Sequence, residues 1–150
     1  MKKILVLMLA CLIPLSGCAL LPGYSEDKLF AYVPPHESEE FFTNGTFQDY
    51  TDYGIYTYEF FDYDKAFSGT SFSKVTEENC DELLAYIDDF EKWVAIARED
   101  NELRQNYNFN RSSITSGDYF RFMVKDRFRN YSFYIFDAES CTMFYFHNNI

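Results

Sequence analysis

Only one segment of this chain repeats its apolar residues at intervals of three and four. Cys80, Leu83, Leu84, Ile87, Phe90, Val94 and Ala97 follow that spacing, and Tyr86, Trp93 and Ile96 widen the stripe. This period draws an apolar face along an α-helix. Asp88, Asp89, Glu91, Lys92 and Arg98 lie mostly outside the stripe. Thr76 or Asn79 can cap the start, and Asn79 with Glu82 has the spacing of a capping box. Glu77, Glu78, Asp81 and Glu82 complement the positive end of the helix dipole. The spacing predicts a helix of about 20 residues, ending near Asp100 and fraying through Arg104. Any sheet in this chain has this one helix as its cover.

The sheet is legible in the aromatics, which make up 21% of the chain, with 17 Phe and 13 Tyr. Aromatic and β-branched residues suit a pleated surface. Tyr53 to Phe61 reads as a strand, Asp62 to Lys65 as a turn, and Ala66 to Val75 as a weaker strand anchored by Phe67 and Phe72. Asn101 to Gly117, rich in Asn and Ser, reads as a loop. Three strands follow, at Asp118–Lys125, Tyr131–Phe136 and Cys141–His147. The middle one is apolar on both faces apart from Ser132, as a central strand is. Short connections make these three an antiparallel meander. The expected fold is α+β, a single domain in the order β-β-α-β-β-β. Its one main helix packs on an antiparallel sheet of four or five strands.

The start of the chain is different in kind. Lys2 and Lys3 precede an apolar run from Ile4 to Leu15, broken only by Pro14. A run of about 12 residues is too short to span a membrane and fits a signal peptide. It ends in Leu15-Ser16-Gly17-Cys18, which resembles the lipobox of bacterial lipoproteins. The resemblance implies cleavage after Gly17, diacylglycerol on the Cys18 sulfur, and anchoring in a cell membrane on its extracellular or periplasmic side. The chain as a whole looks like the small uncharacterised lipoproteins of Gram-positive bacteria. The expected organisation is a removed signal peptide (1–17), a lipidated tether and irregular lead-in (18–50), and a domain (51–150).

Charge narrows the partners. The net charge is −11. Without Lys2 and Lys3, 11 basic and 24 acidic residues remain, giving −13. Nucleic acid is excluded as a partner by this balance, and so is attachment to anionic lipid through the protein surface. Two or three acyl chains on Cys18 hold an acidic domain at a membrane without a basic patch. The expected partners are the membrane, through that lipid, and an envelope protein or a cell-wall or carbohydrate ligand.

Catalytic signatures are sparse. No G-x-S-x-G, H-E-x-x-H, P-loop or G-x-G-x-x-G is present. His36 with Glu39 and Glu40 lacks the second His of a metal site, and His147 reads as a strand-end histidine. Cys141 and His147 sit six residues apart on one strand, about 20 Å, too far to act as a pair. Asp62-Tyr63-Asp64 lacks the Gly and Glu of an EF-hand. The carboxylate pairs Asp49/Asp52, Asp62/Asp64 and Asp88/Asp89 admit a carboxylate-dependent hydrolase as the alternative to a non-catalytic binding or scaffold module. No cofactor, metal or catalytic residue is expected. Cys80 and Cys141 are left either to pair in a disulfide or to stay as buried thiols. The tyrosines are chiefly core, but Tyr50, Tyr53, Tyr56, Tyr58 and Tyr63 are dense enough to form a binding face, which Tyr119 and Tyr134 would extend.

Overall fold

The computed structural model describes residues 33–45 and 48–150. The expected signal peptide, Cys18 and the first part of the tether lie outside them. Six antiparallel strands form one sheet: β1 (Ser38–Gly45), β2 (Tyr50–Thr57), β3 (Ser73–Lys74), β4 (Tyr119–Asp126), β5 (Asn130–Asp137) and β6 (Thr142–Asn149). Their order across the sheet is β1-β2-β6-β5-β4-β3. The helices are α1 (Tyr63–Phe67), α2 (Glu77–Ile96) and α3 (Glu102–Asn106), with a 3₁₀ turn at Arg111–Ser113. The class is α+β, with more strands than the four or five expected.

Helix α2 forms where its stripe lies. The Asn79 side chain accepts from the Thr76 backbone N–H at 2.8 Å and donates to the Lys74 carbonyl at 2.9 Å. The box therefore joins Thr76 to Asn79, one turn earlier than Asn79 to Glu82. The helix stops at Ile96 because Arg104 donates to the Ala97 carbonyl at 2.7 Å and Asn101 caps α3 through the Leu103 N–H. A guanidinium on the terminal carbonyls closes a helix favourably. Residues expected to be a frayed end are thus a separate helix.

Two expectations are corrected. Residues 38–45 belong to an edge strand paired with β2 along its full length, Ser38 opposite Thr57 and Gly45 opposite Tyr50. Its residues are mostly exposed, so no apolar alternation marks it. Gly45 has φ +147°, and a Cβ there would sit 2.2 Å from the Asp49 carbonyl oxygen, so the hairpin requires glycine. Ala66 to Val75 is not a continuous strand. The Asp62 carboxylate accepts from the Lys65 N–H at 3.1 Å and starts the single turn of α1, leaving only Ser73 and Lys74 on the sheet.

Each face of the sheet has its own core. On one side Tyr53, Phe120, Phe133 and Phe146 pack with Leu83, Tyr86, Ile87, Phe90 and Val94 of α2. Phe133 and Phe146 stack with centroids 4.3 Å apart, and Phe90 meets Phe146 edge-on at 5.2 Å. On the other side Tyr56, Tyr58, Tyr119, Phe136 and Met143 pack with Phe67, Phe72 and Val33. The one-helix expectation leaves this second face uncovered, whereas α1 and its flanks cover one end of it. Asp118 fastens the meander. Its buried carboxylate accepts from the Thr115 N–H at 2.6 Å, the Thr115 hydroxyl at 3.3 Å and the Ala138 N–H at 3.0 Å.

Candidate functional site

Antiparallel pairing places directly opposed residues on the same face of a sheet. Asp52 of β2 is opposite His147 of β6, and His147 is opposite Ser132 of β5. The next rung toward α1 holds Gly54, Tyr145, Tyr134 and Arg121 in the same lateral order. The rung beyond holds Tyr50, Asn149 and Asn130. A polar row flanked by tyrosines therefore crosses the end of the face that α1 leaves.

His147 Nδ1 lies 3.1 Å from Asp52 Oδ2, and both side chains are largely buried, 14% and 8% exposed. A carboxylate only accepts, so Nδ1 is the donor in this contact, and Nε2 is the ring nitrogen the pair leaves for another partner. Tyr50 meets the imidazole edge-on at 5.0 Å, and Tyr145 lies 6.1 Å from it. Tyr145 also contacts Tyr134 at 4.9 Å and stacks on Phe41 at 6.4 Å. These ring contacts stay within the sheet. Burial, then Tyr134 and Asp52, pushes the Tyr145 phenol well above its usual value, and burial with Asp52 raises Tyr50. Both phenols are hydrogen-bond donors across the neutral range. The row can hold a ligand between ring faces, hydroxyl donors and one imidazole nitrogen.

The five tyrosines singled out in the sequence do not share one exposed face. Tyr53 is buried on the α2 side, where its hydroxyl donates to Asn108 at 2.9 Å. Tyr56 and Tyr58 are buried on the opposite face, Tyr50 stands half-buried beside His147, and Tyr63 is in α1 against Phe136. Tyr119 and Tyr134 are buried as well. Cys80 and Cys141 are free thiols, one packed against the α2-side core and the other within the opposite core. The disulfide alternative therefore gives way to separate thiols.

The acidic pairs are dispersed among local tasks. Asp62 caps α1, and Asp64 pairs with Lys74 at 2.8 Å and accepts from Tyr119. Asp88 pairs with Arg111 at 2.5 Å, and Asp89 accepts from Tyr131 at 2.9 Å. Asp49 is exposed. His36 lies 3.3 Å from Glu39, and among the described residues no group of three His, Cys, Asp or Glu side chains can hold a metal ion. Asp52, Ser132 and His147 were not predicted as a group. Asp52 and His147 are separated by 95 residues, and only the β2–β6 register brings them together. Comparison with family models, curated proteins and solved structures found no match. Among the described residues no helix is long and apolar enough to cross a membrane.

Proposed function

We propose that this chain is a lipid-anchored binding module of the cell envelope, held on the outer side of a cell membrane through Cys18. Its ligand is received on the sheet end formed by Tyr50, Asp52, Tyr145 and His147. The observation that carries the binding reading is the buried Asp52–His147 pair set among half-buried tyrosines whose ring contacts remain within the sheet. Burying an ionisable pair away from the helix-side core costs desolvation that apolar residues would avoid, and a ligand contact is a reason to retain it. Rings with hydrogen-bonding neighbours suit a carbohydrate or cell-wall ligand. The anchoring reading rests on the Leu15-Ser16-Gly17-Cys18 motif.

Each half has its own test. Cys18→Ala should abolish incorporation of radiolabelled palmitate and release the protein from the membrane fraction; continued labelling would refute the anchor. The lipidated protein in detergent should co-sediment with purified cell-wall material, and Tyr50→Ala combined with Tyr145→Ala should reduce the bound fraction at least tenfold. Equal sedimentation of the double variant would refute the assigned face.

A further inference from the structure

We propose that Asp52, His147 and Ser132 form a proton relay laid across three neighbouring strands, which makes the Ser132 hydroxyl a nucleophile toward carboxylic esters with an apolar acyl group. The proposal goes beyond ligand binding and does not depend on the anchor. Three observations carry it. The residues are consecutive cross-strand partners, Asp52 to His147 and His147 to Ser132, so all three side chains rise from one face. Adjacent strands lie about 4.8 Å apart, which places the imidazole between the carboxylate and the hydroxyl. The 3.1 Å contact engages Nδ1, so the ring nitrogen left to meet a hydroxyl is Nε2, the arrangement that a serine–histidine–carboxylate relay uses.

The second observation is Ser132 itself. It is the one polar residue among the six consecutive buried positions 131–136 of the central strand, and is 9% exposed. Its Oγ is not among the enclosed polar atoms that lack a partner, so within this buried run the hydroxyl still meets solvent and can be reached by a substrate. The third is the surround. Met123 stands opposite Ser132 on β4, and Tyr145 and Tyr50 flank His147. Together they offer apolar surface for an acyl chain. Among the described residues no hydrogen bond joins Ser132 to His147, and such contacts commonly tighten only when substrate is bound.

The reaction closes without an added co-reactant other than water. Ser132 Oγ adds to the ester carbonyl carbon while its proton passes to His147 Nε2. The carbon–oxygen bond to the alcohol then breaks, and the alcohol leaves with that proton. Water, deprotonated by the same nitrogen, attacks the acyl–Ser132 ester. The carboxylic acid departs, and the proton returns to Oγ. His147 and Ser132 are the catalytic residues; Asp52 is a positioning residue.

The test uses the lipidated full chain in detergent and a fluorophosphonate probe, which forms a phosphorus–oxygen bond at an activated serine and expels fluoride. Mass spectrometry should locate the adduct on Ser132, and Ser132→Ala should abolish it. His147→Gln keeps an N–H donor for Asp52 but no base. It should slow labelling at least ~100-fold, within the 10²–10⁴ range of a general base. Asp52→Asn should lower the labelling rate and reduce kcat for 4-nitrophenyl butyrate while leaving KM unchanged, because the imidazole loses the partner that orients it. Hydrolysis of 4-nitrophenyl butyrate should follow the same ranking. An unlabelled wild type, an adduct elsewhere, equal labelling of His147→Gln, or an unchanged kcat in Asp52→Asn would each overturn the relay. Ser132→Ala should still co-sediment with cell-wall material, so failure of the relay and failure of the binding face give different results.

Discussion

Replacing Asp118 with alanine tests whether the meander is fastened by one carboxylate. Asp118 is 2% exposed and accepts two backbone N–H groups, Thr115 at 2.6 Å and Ala138 at 3.0 Å, besides the Thr115 hydroxyl. Its own carbonyl accepts from the Val75 N–H at 2.9 Å, so β3 is tied to the same residue. The backbone bond survives substitution, whereas the carboxylate bonds do not. A hydrogen bond to a charged group contributes roughly 1.5–3 kcal/mol, and an orphaned buried donor costs about 1–3 kcal/mol. Thr115 is exposed, so water replaces part of its loss. Ala138 is half-buried and recovers less. The expected loss is about 3 kcal/mol, a large share of the 5–15 kcal/mol typical of a domain. Urea unfolding followed by the fluorescence of Trp93, the single tryptophan, measures it directly. Asp118→Asn keeps one acceptor and should lose less than the alanine variant. A loss under about 0.5 kcal/mol in Asp118→Ala, the range of ordinary surface substitutions, would refute the fastening role.

Other consequences are as open to measurement. Burial first, with nearby carboxylates or phenols adding to it, holds Tyr53, Tyr58, Tyr107, Tyr131 and Tyr145 well above the ordinary phenol range. Raised folded-state values give stability that is complete below pH ~10 and lost as pH rises further. Phenolate absorbance should therefore rise in two phases, the second coincident with unfolding; a single gradual phase with the fold intact would contradict this. Phe90→Ala removes a fully buried ring from between Tyr53, Tyr107 and Phe146, and should cost about 3–5 kcal/mol in urea unfolding. A thiol reagent should modify half-buried Cys80 faster than buried Cys141 in the native state, with both reacting in denaturant; a bridged pair would leave neither reactive.

The parts of the fold that can be read locally are the parts that carry their own periodicity. Helix α2 and the β4–β5–β6 meander announce themselves because their apolar residues face a core within the same element. Strand β1 does not, since its side chains are mostly exposed and its stability comes from the β2 ladder. The turn of α1 depends on one Asp62 cap in a stretch whose Phe67 and Phe72 fit a strand equally well. The candidate site is harder still. Asp52 looks like one more acid among 24, and His147 like a strand-end histidine. Their partnership exists only through long-range register. Ser132 was visible as the polar interruption of a central strand, but its neighbours were not.

Strand β6, the last eight-residue element before Ile150, lies between β2 and β5 at the middle of the sheet. The β1–β2 hairpin therefore has no further strand to pair with until β6 is available, and its contacts with β6 span nearly the length of the domain. Such non-local closure slows folding. For a chain exported as proposed here, this topology is a built-in delay. The polypeptide stays threadable while it is being moved, and the sheet locks only once β6 has arrived on the far side.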